Sequence, residues 1–299
     1  MHSAFALRVG FFQWQCYNKN MFTETFIKTP AIRLSMCLIL FAFLIPAESS
    51  ASVISIETSV SAVSGDNGTM VRVDNLNKGD EPAFNLKVNV DINGTRISGR
   101  IKDKFAVKDK FSEEFQVAAK FQKPGRYPVI VTTEYTDANL YPFSAVSVSY
   151  VNHKESANAL VVGTLHATKI AQSGEVSLTV KNLDAAKRKY SVRMVAAREL
   201  SVVNPAIELA LNPLSESTIK FEVRNLSALP DSSYPVFAVM TYEDEQYFYT
   251  AVNSGLITIG NTKPFGKLKM PLLAVFILLV SMIAVYYLRA AYRRSKRGR

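Results

Sequence analysis

The sequence predicts an all-β protein, two tandem β-sandwiches followed by one C-terminal transmembrane helix. Three observations predict it. Apolar and polar residues alternate at period two through "VISIET", "MVRVDNL", "NLKVNVDI", "EVSLTV" and "TIKFEV", the pattern of strands with one face buried. A segment near the middle, "YPVIVTTEYTDANLYPFSAV" (127–146), returns about a hundred residues later as "YPVFAVMTYEDEQYFYTAV" (234–252). Finally, the stretch from Met270 to Leu288 carries no charge.

Residues 1–51 read as a leader. "LSMCLILFAFLIPA" (34–47) follows Lys28 and Arg33 and precedes the small residues of "ESSAS", which suits cleavage after Ala51. This apolar stretch is too short to span a bilayer as a helix. A charged leader region normally begins close to the start, so translation from Met21 and an unusually long leader are both open readings. Both cysteines, Cys16 and Cys37, and the single tryptophan, Trp14, lie in this segment. A mature chain without cysteine excludes intramolecular disulfides, thiol catalysis and cysteine-ligated zinc.

The first sandwich is expected over residues 52–153 and the second over 156–261, joined by the polar connector "NHKESAN" (152–158). Their echoes keep one order. "VRVDNL" (71–76) answers "LTVKNL" (178–183), "AFNLKVNVDI" (83–92) answers "KYSVRMVAA" (189–197), and "KFSEEFQV" (110–117) answers "SESTIKFEV" (215–223). Each half offers about seven strands in about a hundred residues, which fits two antiparallel sheets face to face. With strands of five to ten residues, two sandwiches placed end to end would extend about 60–70 Å.

Met270 to Leu288, at about 1.5 Å per residue, is long enough for the hydrocarbon core. Pro271 suits a first helical turn, and Tyr286 and Tyr287 suit the interface. The tail, residues 289–299, has six cations, which by the positive-inside bias stay cytoplasmic and face anionic lipid. The N-terminal domains are therefore expected outside the cytoplasm of a single-pass cell-membrane protein. Docking a cytoplasmic partner is the second reading of the tail. A loose likeness of "KPFG", the helix and the tail to a three-part sorting signal is a further alternative.

Charge excludes one function class. The whole chain carries +10, but residues 52–288 hold 25 basic against 23 acidic side chains. So nearly neutral a folded part argues against nucleic-acid binding, which rests on phosphate neutralisation.

The search for chemistry is short. The exported part has two histidines, His153 and His166, and the adjacent Glu113 and Glu114 point to opposite strand faces. No Gly-rich phosphate loop and no metal-ligand spacing occurs, so no cofactor, metal or catalytic residue is assigned. The hairpin "YEDEQYFY" is the one candidate site. Glu243, Asp244, Glu245 and Tyr247 could form a partner-binding edge, a glycan contact or a calcium site, or simply a soluble turn above a core.

The order V-x-N-L, an alternating strand, then "GRYPVIVTTEYTD" resembles the Ig-like modules of bacterial and archaeal envelope proteins, including the cell-adhesion-related CARDB type. The first half carries Gly125, Tyr127, Tyr135 and Asp137 of that pattern; the second carries Tyr234, Tyr242 and Asp244 but has "DSSY" in place of the glycine. The resemblance implies Ig-like sandwiches used as spacers, binding domains or assembly contacts. The expected function is a non-catalytic accessory or scaffold subunit that grips another envelope protein; a surface adhesin or glycan-binding protein is the alternative.

Overall fold

A computed structural model describes residues 53–166, 168–260 and helical residues between Ile277 and Arg293. The leader over 1–51, with Trp14, Cys16 and Cys37, lies outside the described residues, as does much of 270–299. Among the described residues no helix is long and apolar enough to cross a membrane.

Two cores organise residues 53–260. The first lies between two sheets. One contains β1 (Ile56–Gly65), β2 (Gly68–Asn77) and β5 (Lys110–Val117). The other contains β4 (Thr95–Phe105), β3 (Ala83–Ile92), β6 (Gly125–Thr136) and β7 (Pro142–His153). Alternation in the sequence becomes alternation in space. In β3 and β6, Val88, Val90, Val129 and Val131 turn inward against Val71, Val73 and Phe115 of the facing sheet.

The second core repeats the arrangement. Strands β8 (Val161–Leu165), β10 (Ser173–Asn182), β14 (Glu216–Asn225) and β12 (Leu200–Val202) form one sheet. Facing it are β13 (Ala206–Leu211), β11 (Arg188–Ala196), β15 (Ser233–Glu243) and β16 (Phe248–Ile259), with β9 (Thr168–Ile170) running parallel to β16. Leu178, Tyr190, Phe221 and Met240 are its largest fully buried members. Both halves thus have Ig-like connectivity, and the sequence echoes fall on matching strands: β2 with β10, β3 with β11, β5 with β14 and β6 with β15.

One echo is out of register. The letters V-x-N-L align Asn75 with Asn182, yet the pairings Val71↔Phe115 and Val176↔Phe221 bring Asn77 into the place of Asn182. The hydrogen bonds agree. The Asn77 Oδ1 accepts from the amide two residues on (Gly79, 3.0 Å), and its Nδ2 donates to the carbonyl four residues on (Glu81, 2.8 Å). Asn182 does the same with Asp184 (2.9 Å) and Ala186 (2.9 Å). Each amide thereby satisfies a buried turn that backbone pairing leaves open.

The end-to-end arrangement expected from the sequence is not found. β16 adds to the edge of β6 through the parallel pair Phe248↔Gly125, merging two sheets into one of nine strands. Contacts recur at the far end of the same hairpin, where Glu134 and Ser144 meet Arg198 and Glu199. Nine residues of strand, about 30 Å, separate these contacts. The sandwiches are joined side by side, so the longest strands, of twelve residues, set a height of about 40 Å.

Candidate functional site

The acidic hairpin between β15 and β16 is built by Asp244. Its Oδ1 accepts hydrogen bonds from the amides of Gln246 (2.9 Å) and Tyr247 (2.8 Å), and its Oδ2 accepts from the Tyr249 hydroxyl (2.8 Å). An aspartate suits this position because a short side chain can close a turn on its own backbone. Partial desolvation pushes its carboxyl up, but the amides of Tyr247 and Gln246 and the Tyr249 hydroxyl, with Arg188 nearby, outweigh this and hold it below the ordinary carboxylate range.

The hairpin faces the chain's own first sandwich. Lys123 Nζ donates to the Asp244 carbonyl (2.6 Å) and lies 3.5 Å from the Glu243 carboxylate. The Tyr247 hydroxyl donates to Glu155 of the connector (2.6 Å), and the Thr250 hydroxyl donates to the Arg126 carbonyl (2.6 Å). Of the four side chains singled out in the sequence, Glu243 and Tyr247 thus hold the second sandwich to the first and its connector. Asp244 shapes the turn, and Glu245 is exposed.

Phe248 is the contact that sequence reasoning missed. It points away from Tyr247 and Tyr249, as alternation requires, and so leaves its own sandwich and stacks on Tyr127 at 4.3 Å and 2°. Phe248 therefore belongs to the first core. Tyr249 stacks instead on Tyr242 (4.6 Å, 9°) inside the second. The available signal was the glycine opening β6, "GRYP", in the first repeat only. Gly125 has φ +136° and lies against the Phe248 backbone, so only glycine fits.

At the other end of β6, Glu199 is 1% exposed. Its carboxylate accepts from the Ser144 amide (3.0 Å) and hydroxyl (2.9 Å), while Ser144 Oγ in turn accepts from the Arg198 amide (2.9 Å). Arg198 reaches Glu134 at 3.8 Å. Burial, with Glu199 and then Tyr234 beside it, pushes the Tyr135 hydroxyl well above the usual tyrosine range. A buried carboxylate needs such donors because desolvation penalises an unsatisfied charge heavily.

The repeated tyrosines serve the fold. Tyr127 donates to the Lys123 carbonyl (2.9 Å) and Tyr234 accepts from the Leu229 amide (3.1 Å), both reaching back a few residues as in a tyrosine corner. Tyr242 is buried and accepts from the Leu160 amide (2.8 Å).

A cleft of about 670 Å³ lies between the outer face of β3, β4 and β6 and the region of β11 and β12. Of its charged groups, Asp91 pairs with Arg96 (2.9 Å), Glu134 lies 3.8 Å from Arg198, and Arg193 also lines the cleft, while Ser98 donates to Asn89 (2.6 Å). Its lining has no histidine or cysteine, so no nucleophile stands beside an imidazole base there. His153 Nδ1 lies 3.0 Å from Ser64 Oγ, and His166 Nε2 lies 3.2 Å from Thr179 Oγ1, in separate sandwiches. Among the described residues no group of three or more His, Cys, Asp or Glu is placed to hold a metal ion.

No family model and no curated protein matches the chain. Solved structures similar to it include native Escherichia coli α2-macroglobulin, 12% identical over 69% of this chain and 17% of that one, with a TM-score of 0.28. Salmonella α2-macroglobulin reacted with methylamine is 13% identical over 71% of this chain and 16% of that one, with a TM-score of 0.30. A Porphyromonas gingivalis protein of unknown function is 10% identical over 68% of this chain and 99% of its own, with a TM-score of 0.29. The chain spans about a sixth of the macroglobulins it matches. Likenesses at these scores assign it neither an activity nor a partner.

Proposed function

We propose that the chain is an exported, single-pass membrane protein whose two Ig-like sandwiches, of the CARDB-like kind seen in envelope proteins, form a non-catalytic accessory or scaffold module of an envelope assembly. The observation that carries this reading is the clasp. Lys123, Gly125, Tyr127 and Glu155 grip residues 243–250 at one end, and Ser144 and Glu134 grip residues 198–199 at the other. A side-by-side pair fixed at two points presents a broad, preorganised surface, which suits holding a protein partner at low entropic cost. It is also short for display far from a bilayer, which favours the accessory role over adhesion or glycan binding.

In this reading the span is Met270 to Leu288, the sandwiches are extracytoplasmic and the basic tail lies on anionic lipid. No nucleic acid, cofactor or metal takes part. Within the acidic hairpin, Glu245 is the residue left to meet a partner; Glu243, Asp244 and Tyr247 contribute by holding the clasp that shapes the surface.

Crosslinking in native membranes followed by recovery of the full chain tests the proposal. One envelope protein should be captured reproducibly, and Glu245→Lys should reduce its recovery. Capture of glycan instead, or of nothing above an unrelated membrane protein, overturns the accessory reading.

A further inference from the structure

β6 and β16 run parallel from the pair Gly125↔Phe248, so Thr136 and Ile259 finish at the same end of the two sandwiches. Ile259 and Gly260 end the described run that precedes the apolar segment in sequence, and so mark its exit. Asp231 N donates to the Ile259 carbonyl (2.9 Å), fixing the 226–232 loop beside this exit. The β6–β7 turn is brought there too, since Ser144 binds Glu199, whose carbonyl accepts from Leu226 N (2.9 Å).

These two loops expose large apolar side chains. Leu140 is 70% exposed, with Tyr141 beside it, and Leu226 is 66% exposed, with Leu229 three residues on. The display of Leu140 is held against a backbone preference. Asp137 Oδ1 accepts from the amides of Asn139 (2.8 Å) and Tyr141 (2.9 Å), and Leu140 sits at φ +65°. That conformation is unfavourable for leucine, and no core packing compensates for it.

We infer that Leu140, Tyr141, Leu226 and Leu229 form a foot that rests in the interfacial layer of the lipid bilayer. The inference rests on reading Met270 to Leu288 as the membrane span. Residues 260–269 allow at most about 36 Å between Ile259 and that span. A short tether therefore keeps this end near the lipid. Leucine and tyrosine on loop tips gain by leaving water for the headgroup boundary. Two tips, one on each sandwich, would fix the tilt of the clasped pair.

The opposite end supplies a control. Leu214 is also exposed (68%) and also has positive φ (+53°), but it precedes β14 while Leu226 follows it. The full chain, with Cys16→Ser and Cys37→Ser, is labelled with an environment-sensitive fluorophore at Leu140→Cys, Leu226→Cys or Leu214→Cys. Each variant is reconstituted into phosphatidylcholine–phosphatidylglycerol vesicles with or without a doxyl-lipid quencher. Probes at 140 and 226 should shift to the blue and lose emission to the quencher, while the probe at 214 should do neither. No quenching at 140 and 226, or equal quenching at all three, overturns the foot. An alkaline wash of native membranes reads the span separately. A chain that resists the wash but shows unquenched probes has a span and no foot; a chain that is stripped but shows quenched probes has a foot and no span.

Discussion

Gly125 and Phe248 meet backbone to backbone, with no space between them for a methyl group. The Phe248 amide donates to the Pro124 carbonyl (2.9 Å), and its ring lies flat on Tyr127. One glycine thus lets an edge of the second sandwich complete the core of the first. Gly125→Ala should lower stability by about 2–3 kcal/mol through backbone strain and loss of this approach. Proteolysis within the 154–158 connector should accelerate with it. A wild-type urea midpoint for the variant would remove the bridge from the account.

Ser144 and Glu199 form the second attachment. Ser144→Ala takes one donor from a buried carboxylate and should cost about 1.5–3 kcal/mol. A double-mutant cycle with Glu199→Gln should show a coupling of about 0.5 kcal/mol or more. Strict additivity would mean that the two residues act independently.

The acidic hairpin separates into a structural and a free residue. Asp244→Ala should destabilise by about 1–3 kcal/mol because two amides and a tyrosine hydroxyl lose their acceptor. Glu245→Ser should stay within about 0.5 kcal/mol of the parent. Since the Asp244 carboxyl is held below its ordinary value, its contribution is complete above about pH 4 and is lost on acidification through its folded value. Equal melting temperatures for the two variants would contradict this division.

Alkaline titration probes the tyrosine cluster of the second core. Burial first, then the hydrogen bond to Asp244, raises the Tyr249 hydroxyl to about 12; burial first, then Tyr242, raises Tyr190 to about 12. Both are raised over an unfolded value near 10, so the neutral phenols favour the fold. Their contribution is full below about pH 10 and disappears as pH rises through 12. Tyrosinate absorbance should therefore show a late fraction that ionises together with unfolding. Ionisation of all tyrosines near pH 10 in a folded chain would contradict the burial of these two.

Processing is open to a direct measurement. The short apolar leader ending in small residues predicts a mature N-terminus at Ser52 or within a few residues of it. Intact mass of the membrane-extracted protein, together with tyrosine-only fluorescence, checks this. Retention of Trp14 would refute it.

The strands and their order were legible because period-two alternation maps onto a sheet with one buried face. β2, β10 and β14 show this directly, burying Val71, Val73, Val176, Leu178, Phe221 and Val223. The recurrence of Tyr127 and Tyr234 was legible as part of the Ig-like pattern, and the structure adds that each hydroxyl closes a local turn. The acidic hairpin drew notice from its composition, but composition does not say what a hairpin faces.

What the sequence determined by itself is the all-β class, the succession of strands and their repetition, since these depend on spacings of a few residues. The tertiary structure alone decided register, the join and the partners of the hairpin. A two-residue slide leaves every side chain on its original face, so no periodicity could choose Asn77 over Asn75 as the counterpart of Asn182. Lateral joining depends on contacts more than a hundred residues apart: Gly125 with Phe248, and Lys123 with Asp244. Ser144 with Glu199, fifty-five residues apart, is equally invisible to local pattern. Such pairs arise when two finished surfaces meet, and the physics that selects them is the satisfaction of buried amides, carboxylates and aromatic faces across the join.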